Sequence, residues 1–190
     1  MTRVGWLILA LIVLASAAFL AMTSFGPGEG PGNPAAVAQE PPADSLVVPV
    51  QGVARAAITN SWGDARGGGF RQHHGTDIMA AAGTPVLAAA PGTVEKLFQS
   101  EQGGTTLYVR SDDRRWSYYY AHLAGYADGV REGMTVRAGQ RIGFVGDSGD
   151  AGAGNYHLHF GVARMAAGRR WWEGEDINPY PLLATGRLPG

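Results

Sequence analysis

The sequence predicts a mostly β fold: one compact domain built on antiparallel β-sheet, preceded by an apolar N-terminal helix. Three observations lead there. Short runs rich in β-branched and aromatic residues, at 46–48, 93–98, 105–110 and 116–122, alternate with Gly, Pro and Asp turns. No long stretch carries the 3.6-residue apolar period of a surface helix, and no fixed-period repeat points to a solenoid or propeller. A chain of 190 residues with 45% hydrophobic composition suffices for one ordinary domain and a short appendage, not for two large domains.

In chain order, residues 4–22 carry no charge, are almost wholly apolar and follow Arg3. Their number is close to the roughly 20 residues that span a bilayer and exceeds the roughly 7–15 of a signal-peptide core. Residues 1–23 are therefore read as a transmembrane signal anchor. The competing reading is a cleaved signal peptide, for which Ala36-Val37-Ala38 offers an A-x-A match well beyond the apolar run. Either reading exports the domain, to a cytoplasmic-membrane-anchored position facing the periplasm or cell exterior, or as a secreted protein. Residues 24–44 include Gly26-Pro27-Gly28-Glu29-Gly30-Pro31-Gly32 and too few large apolar side chains to build a core, and form a linker with a mean reach of about 25 Å. Residues 45–190 are the folded domain. Ala80-Ala81-Ala82 and Ala88-Ala89-Ala90 are helical by propensity, but Gly83-Thr84-Pro85 and Pro91-Gly92 interrupt them, so both are expected at strand and turn edges. Trp171-Trp172 is expected to pack under the sheet rather than cover a substrate, and Asp176-Ile177-Asn178-Pro179 to end the fold.

Composition removes several function classes. Fifteen basic against sixteen acidic side chains leave a net charge of −1 and no arginine cluster of the kind that tracks nucleic acid. There is no cysteine, so any metal must be held by nitrogen and oxygen. The five histidines fall in three short segments: His73-His74-Gly75-Thr76-Asp77, His122 at the end of Tyr118-Tyr119-Tyr120-Ala121-His122, and His157-Leu158-His159. A strand over the last segment would point His157 and His159 one way and Leu158 and Phe160 into a core. A catalytic zinc usually takes three protein ligands and leaves a fourth position open. Three of His73, Asp77, His157 and His159 would suffice, with one left for catalysis. Gly75 would permit a tight backbone path between the first two. Spacing alone does not choose between His73 and His74, and His122 can equally be read as a core histidine satisfied by tyrosine hydroxyls.

These segments resemble the M23 peptidases, the lysostaphin or LytM-type zinc endopeptidases that cut peptide bridges of bacterial peptidoglycan. His73-His74-Gly75-Thr76-Asp77 matches their H-x-G-x-D pattern, Tyr120-Ala121-His122-Leu123 their Y-A-H-L segment, and His157-Leu158-His159-Phe160 their H-L-H-F strand. Gly83-Thr84-Pro85-Val86, Ala90-Pro91-Gly92-Thr93-Val94 and Ala138-Gly139-Gln140-Arg141-Ile142-Gly143 match the framework between them, so the resemblance runs from about Ile58 to Val162. It implies one Zn2+ held by His73, Asp77 and His159, with His122 and His157 as the catalytic pair, in a groove of a compact antiparallel sheet. Two positions depart from the family's habit: Gly161 stands where an acid is frequent, and Tyr156 where proline is.

The reaction expected is zinc-assisted hydrolysis of peptide cross-links or stem peptides of peptidoglycan. No H-E-x-x-H helix supplies a glutamate base, so histidine must carry the proton. Substrate specificity is expected in the loops Arg66–Gln72 and Asp147–Tyr156. The alternative is a non-catalytic LytM-type regulator that activates a cell-wall amidase, a class that usually loses metal ligands; here all five positions are filled. A purely structural metal is a third reading, and a protein activator or regulator is a further possible partner. Gly146-Asp147-Ser148-Gly149 looks like the nucleophile segment of a serine protease, but lies too close to His122 in too small a domain for that architecture. Gly149, Gly152 and Gly154 make a phosphate-loop pattern with no lysine and no strand-to-helix context.

Overall fold

Alternation of side chains along three neighbouring strands sets both the core and the groove of this protein. A computed structural model describes residues 44–189. The expected anchor and all but the last residue of the expected linker lie outside the described residues. Among the described residues no helix is long and apolar enough to cross a membrane.

The strands are β1 (Ala65–Arg66), β2 (Arg71–Gln72), β3 (Thr76–Met79), β4 (Pro85–Leu87), β5 (Gly92–Ser100), β6 (Gly104–Ser111), β7 (Trp116–Tyr126), β8 (Thr135–Val136), β9 (Arg141–Val145), β10 (His157–Arg164) and β11 (Glu175–Ile177), followed by the helix α1 (Pro179–Thr185). β1 and β2 form a small hairpin. The other nine make one sheet in the order β11-β10-β7-β6-β5-β8, with β3 on β10, and β9 joining β4 to β7. Every pairing is antiparallel. The mostly β, antiparallel expectation therefore holds.

Period-2 patterning explains which face is dry. Leu107 and Val109 of β6, Tyr118 and Tyr120 of β7, and Leu158, Phe160 and Val162 of β10 are all buried on one side. Tyr108, Tyr119, His159 and Gly161 take the alternate positions on those strands, and the first three are only partly buried. Tyr120 can be wholly buried because its hydroxyl accepts a 2.8 Å hydrogen bond from the Ala89 amide.

Two expectations need correcting. Residues 46–48 form no strand: the Leu46 amide donates to Gly186 O and the Val47 amide to Ala89 O, so the extended segment is shared between different partners, and Pro49 has no amide to continue a ladder. Nor does the fold end at Asp176–Pro179. Ile177 closes β11 against Val162, and Asn178 then caps a helix, its side chain accepting from Tyr180 N at 2.9 Å with Pro179 in the first turn. Gly186 ends that helix in the left-handed conformation. Leu183 anchors it in the core, a burial worth about 1.5–3 kcal/mol, and the Arg55 guanidinium ties Leu183 O to Leu46 O. The alanine runs at 80–82 and 88–90 are non-helical, as expected.

Candidate metal centre

Strand register builds the site. β3 and β10 pair so that Asp77 stands directly opposite His159, and Thr76 opposite Phe160. The residue pair on the groove face is thereby a carboxylate and an imidazole, while Ile78 and Leu158 pair behind them in the core. His73, just ahead of β3, turns in beside them. His73 Nε2 lies 3.0 Å from Asp77 Oδ1 and 2.8 Å from His159 Nδ1, and His159 Nδ1 lies 3.2 Å from the same Oδ1. These three atoms could hold a metal ion. Their separations are close to the roughly 3.3 Å edge of a tetrahedron with 2.0–2.1 Å metal–ligand distances, so the donor set suits zinc in spacing and in chemistry.

The surroundings fix which atoms point inward. His73 Nδ1 is 2.6 Å from Ser61 O, a contact made with Nδ1 protonated, which leaves the Nε2 lone pair facing Asp77. Asp77 Oδ2 is held by Arg66 at 2.5 Å and its amide donates to Ser61 Oγ, so only Oδ1 is free to the centre. His159 is seated on a glycine. A Cβ at Gly75 would come within 2.4 Å of His159 Cε1 and 2.6 Å of its Nε2. Gly75 therefore serves by leaving space and not, as expected, by a tight backbone path: the imidazole occupies the space a side chain would need, and Gly75 does not use the left-handed region. His74 is not part of the cluster. It is exposed, pairs through Nδ1 with Asp176 Oδ2 at 3.0 Å, and stacks on Trp62. Geometry separates the two neighbours that spacing could not.

The other two histidines join from different routes. His157 Nδ1 contacts Asn155 O at 2.8 Å and its Nε2 lies 3.8 Å from Asp77 Oδ1. His122 Nδ1 contacts Ser148 O at 2.8 Å, and its ring centroid lies 4.9 Å from that of His157 and 5.9 Å from that of His159. Both therefore present Nε2 to the groove, each with Nδ1–H spent on a carbonyl. The reading of His122 as a core residue held by tyrosine hydroxyls does not describe it. Alternation from Tyr118 and Tyr120 would send His122 inward, but its backbone is in the left-handed region at φ 60°, and Leu123, one place later, takes the core position. This is where β7 leaves β10 and turns to β9: Ala121 is the last residue opposite β10, and Leu123 the first opposite Val145.

Burial disfavours the imidazolium of both His122 and His159, lowering each below its usual range despite a hydrogen-bond partner that favours the charge. For Asp77 burial works against ionisation too, but the adjoining rings of His159 and His73 outweigh it and hold the carboxyl well below the usual range. The centre therefore presents a carboxylate at Asp77 and favours the neutral imidazole at His159, the protonation states a divalent cation needs.

All five histidine and aspartate positions singled out in the sequence line one cavity of about 580 Å3. The two loops expected to carry specificity also line it, and a 2.8 Å ion pair between Arg71 and Asp150 joins them. Sequence reasoning missed Ser61, Arg66, Ser148 and Asn155, which orient the site. Ser148 sits in the segment that looked like a serine nucleophile, but its Oγ donates to Leu123 O and accepts from the Thr105 amide. It also missed the place of the tryptophans: Trp171 packs on Phe98 and Tyr108, Trp172 is 52% exposed, and both border the groove face rather than lie under the sheet.

Known proteins show the same framework. The L-Ala–D-Glu endopeptidase of Bacillus subtilis is 42% identical over 130 residues, 65% of this chain and 38% of that protein. The peptidoglycan DD-endopeptidase ShyC of Vibrio cholerae is 34% identical over 93 residues, 49% of this chain and 21% of that one. This chain thus spans under half the length of these curated relatives. The crystallised catalytic domain of lysostaphin from Staphylococcus simulans superposes with a TM-score of 0.55 at 28% identity, covering 66% of this chain and 90% of that domain. Residues 71–179 match Peptidase family M23, and the chain belongs to that family.

Proposed function

We propose that this protein is a zinc-dependent endopeptidase acting on the peptides of bacterial peptidoglycan. The observation that carries the reading is the convergence of His73 Nε2, Asp77 Oδ1 and His159 Nδ1, with two further histidines aimed at the same point from outside the triad. His73, Asp77 and His159 would hold the ion, which when bound polarises the scissile carbonyl and acidifies a water. Family membership supports the substrate class, as do relatives that are endopeptidases, one of them a peptidoglycan DD-endopeptidase.

His122 and His157 supply what the ligands do not. Each is braced at Nδ1 by a main-chain carbonyl and turns Nε2 to the groove, so each can take a proton or, once protonated, donate to the oxygen that gains charge. These two imidazoles are the groups nearest the triad suited to carry the proton, since Asp150, which lines the same cavity, is paired with Arg71. A peptide strand would lie in the cavity between the loops joined by Arg71 and Asp150. Export by the apolar segment at residues 4–22 would place the domain where this substrate is found.

The test is mass spectrometry of peptides released from purified peptidoglycan by the full-length, zinc-loaded protein, beside its His159→Ala variant. New amino termini with the wild type alone identify the endopeptidase and its bond. Their absence from a folded, zinc-loaded protein would reject the enzyme in favour of an amidase regulator.

A further inference from the structure

Two arginines stand side by side on the β1–β2 hairpin, where Arg66 pairs directly with Arg71. Like charges so placed repel, and strands this short bring little pairing to offset the repulsion. Each guanidinium is instead taken by a carboxylate from elsewhere in the fold: Arg66 by Asp77 Oδ2 at 2.5 Å, and Arg71 by Asp150 Oδ2 at 2.8 Å. The hairpin lies outside the nine-stranded sheet, and its base runs into the metal triad. There the Gly63 amide donates to His73 O at 2.8 Å and the His73 amide to Asp64 O at 2.9 Å, so the chain stays paired as far as His73. Spacing of two along a paired chain then puts Arg71 and His73, with Arg66 opposite, on one face, and all three line the cavity. One short hairpin thus supplies His73 to the triad and grips the second oxygen of Asp77.

Resting on the zinc reading above, we propose that Arg66 is a positioning residue that keeps Asp77 a one-oxygen ligand and thereby keeps a coordination position open beside it. A carboxylate can give a cation one oxygen or both. With His73 and His159 as the other donors, one oxygen from Asp77 leaves the fourth tetrahedral position free, as a catalytic zinc requires. Two oxygens would fill all four positions and make the closed set of a structural site. His73, Asp77 and His159 do not decide between these outcomes by themselves. Arg66 does, because its charge-assisted hydrogen bond occupies Oδ2 while Oδ1 stays 3.0 Å from His73 Nε2 and 3.2 Å from His159 Nδ1. Its charge also acts on the ion: a guanidinium at the far oxygen repels a divalent cation at the near one. Arg66 therefore lowers metal affinity while it keeps the position open, and the Arg71–Asp150 pair fastens the hairpin that carries it.

The probe is Co2+, whose visible absorption reports its ligands, with imidazole as a neutral, one-nitrogen occupant of an open position. In full-length protein carrying Arg66→Met, Co2+ affinity should equal or exceed that of the wild type, whereas imidazole should bind the cobalt protein about tenfold more weakly, because Asp77 Oδ2 has taken its place. Arg66→Lys, which keeps a cation at Oδ2, should return imidazole affinity to within about threefold of the wild type. The Arg66 side chain is 37% exposed, so the fold should survive its loss, with Arg66→Ala carrying the same expectation should methionine disturb the hairpin. A merely structural Arg66 would lower Co2+ affinity on substitution, and that result would overturn the proposal. So would imidazole affinity unchanged in Arg66→Met, or a lysine variant no better than the methionine one. A wild type that takes up no Co2+ rejects the metal reading and this role together. Failure of the zinc-loaded wild type to digest peptidoglycan rejects the peptidase alone, since the imidazole comparison needs no turnover.

Discussion

Gly75→Ala places one methyl group under the candidate metal centre. The backbone at Gly75 is not in the left-handed region, so alanine meets no conformational barrier, and the whole effect is spatial. The new carbon would stand 2.4 Å from His159 Cε1, 2.6 Å from its Nε2 and 3.0 Å from Phe160 O. Carbon contacts settle at about 3.5–4.0 Å, so roughly 1 Å of retreat is required. The main-chain oxygen on β10 prevents the methyl from moving aside, and the imidazole must go. Its Nδ1 moves with it, because the ring is rigid, whereas ligand distances tolerate about 0.2 Å. The expected result is a zinc affinity lower by about 10–100-fold, the size of effect seen when the support of a ligand is lost. Overpacking should also destabilise the metal-free domain by about 1–3 kcal/mol. Competition against a chromogenic chelator measures the first and urea unfolding in chelator the second. Wild-type zinc affinity in Gly75→Ala would refute the claim that the seat of His159 on Gly75 sets the centre.

Three other outcomes follow from the same geometry. Stripping zinc should abolish peptide hydrolysis while leaving the far-ultraviolet β signature intact, since the buried core of Tyr118, Tyr120, Leu158 and Phe160 closes behind the triad without using it; unfolding on chelation would make the metal structural. His122→Ala should retain zinc and lose at least roughly 2–3 kcal/mol of transition-state stabilisation, about a hundredfold in kcat/KM, as for a typical preorganised base or donor; unchanged kcat/KM would remove His122 from the mechanism. Because burial lowers His122 and His159 in the folded state, the unfolded chain takes up protons at these residues first as pH falls. Metal-free stability should therefore be full above about pH 6.5 and decline below it, toward the lowered folded values. Asp77 stays ionised across that window. A urea midpoint higher at pH 5.5 than at pH 7.5 in chelator would contradict this.

Much of the site was legible because strands transmit sequence spacing directly into space. His157 and His159 share a face since they are two apart on β10, and Leu158, Phe160 and Val162 mark the other face as dry. What could not be read was register. Nothing in the spacing of 82 residues between Asp77 and His159 says that they stand opposite, and that cross-strand pair is what turns two side chains into one donor set. Likewise, the carbonyls of Ser61, Ser148 and Asn155 orient three imidazoles through main-chain atoms, which carry no residue-type signature at all. The tryptophans were misplaced for a related reason: burial propensity favours packing, but it is silent about which face of a sheet a crossing loop covers.

His122 shows the limit most sharply. Period-2 reasoning along Trp116–Tyr126 makes Tyr118, Tyr120 and His122 one face, and that face is core. The strand changes phase at His122 itself, where the pairing with β6 shifts register between Tyr120 and Leu123 and the backbone turns left-handed. Histidine is among the few non-glycine residues found there with any frequency, at a cost of about 1–3 kcal/mol that the surrounding pairing must hold. Its ring is delivered to the groove by that one-residue slip, with Ser148 O waiting for Nδ1 and Leu123 filling the vacated core position. The strain and the exposure of Nε2 are thus one event. A sequence whose alternation ran unbroken through this strand would bury the histidine and leave the groove beside the triad with one imidazole fewer.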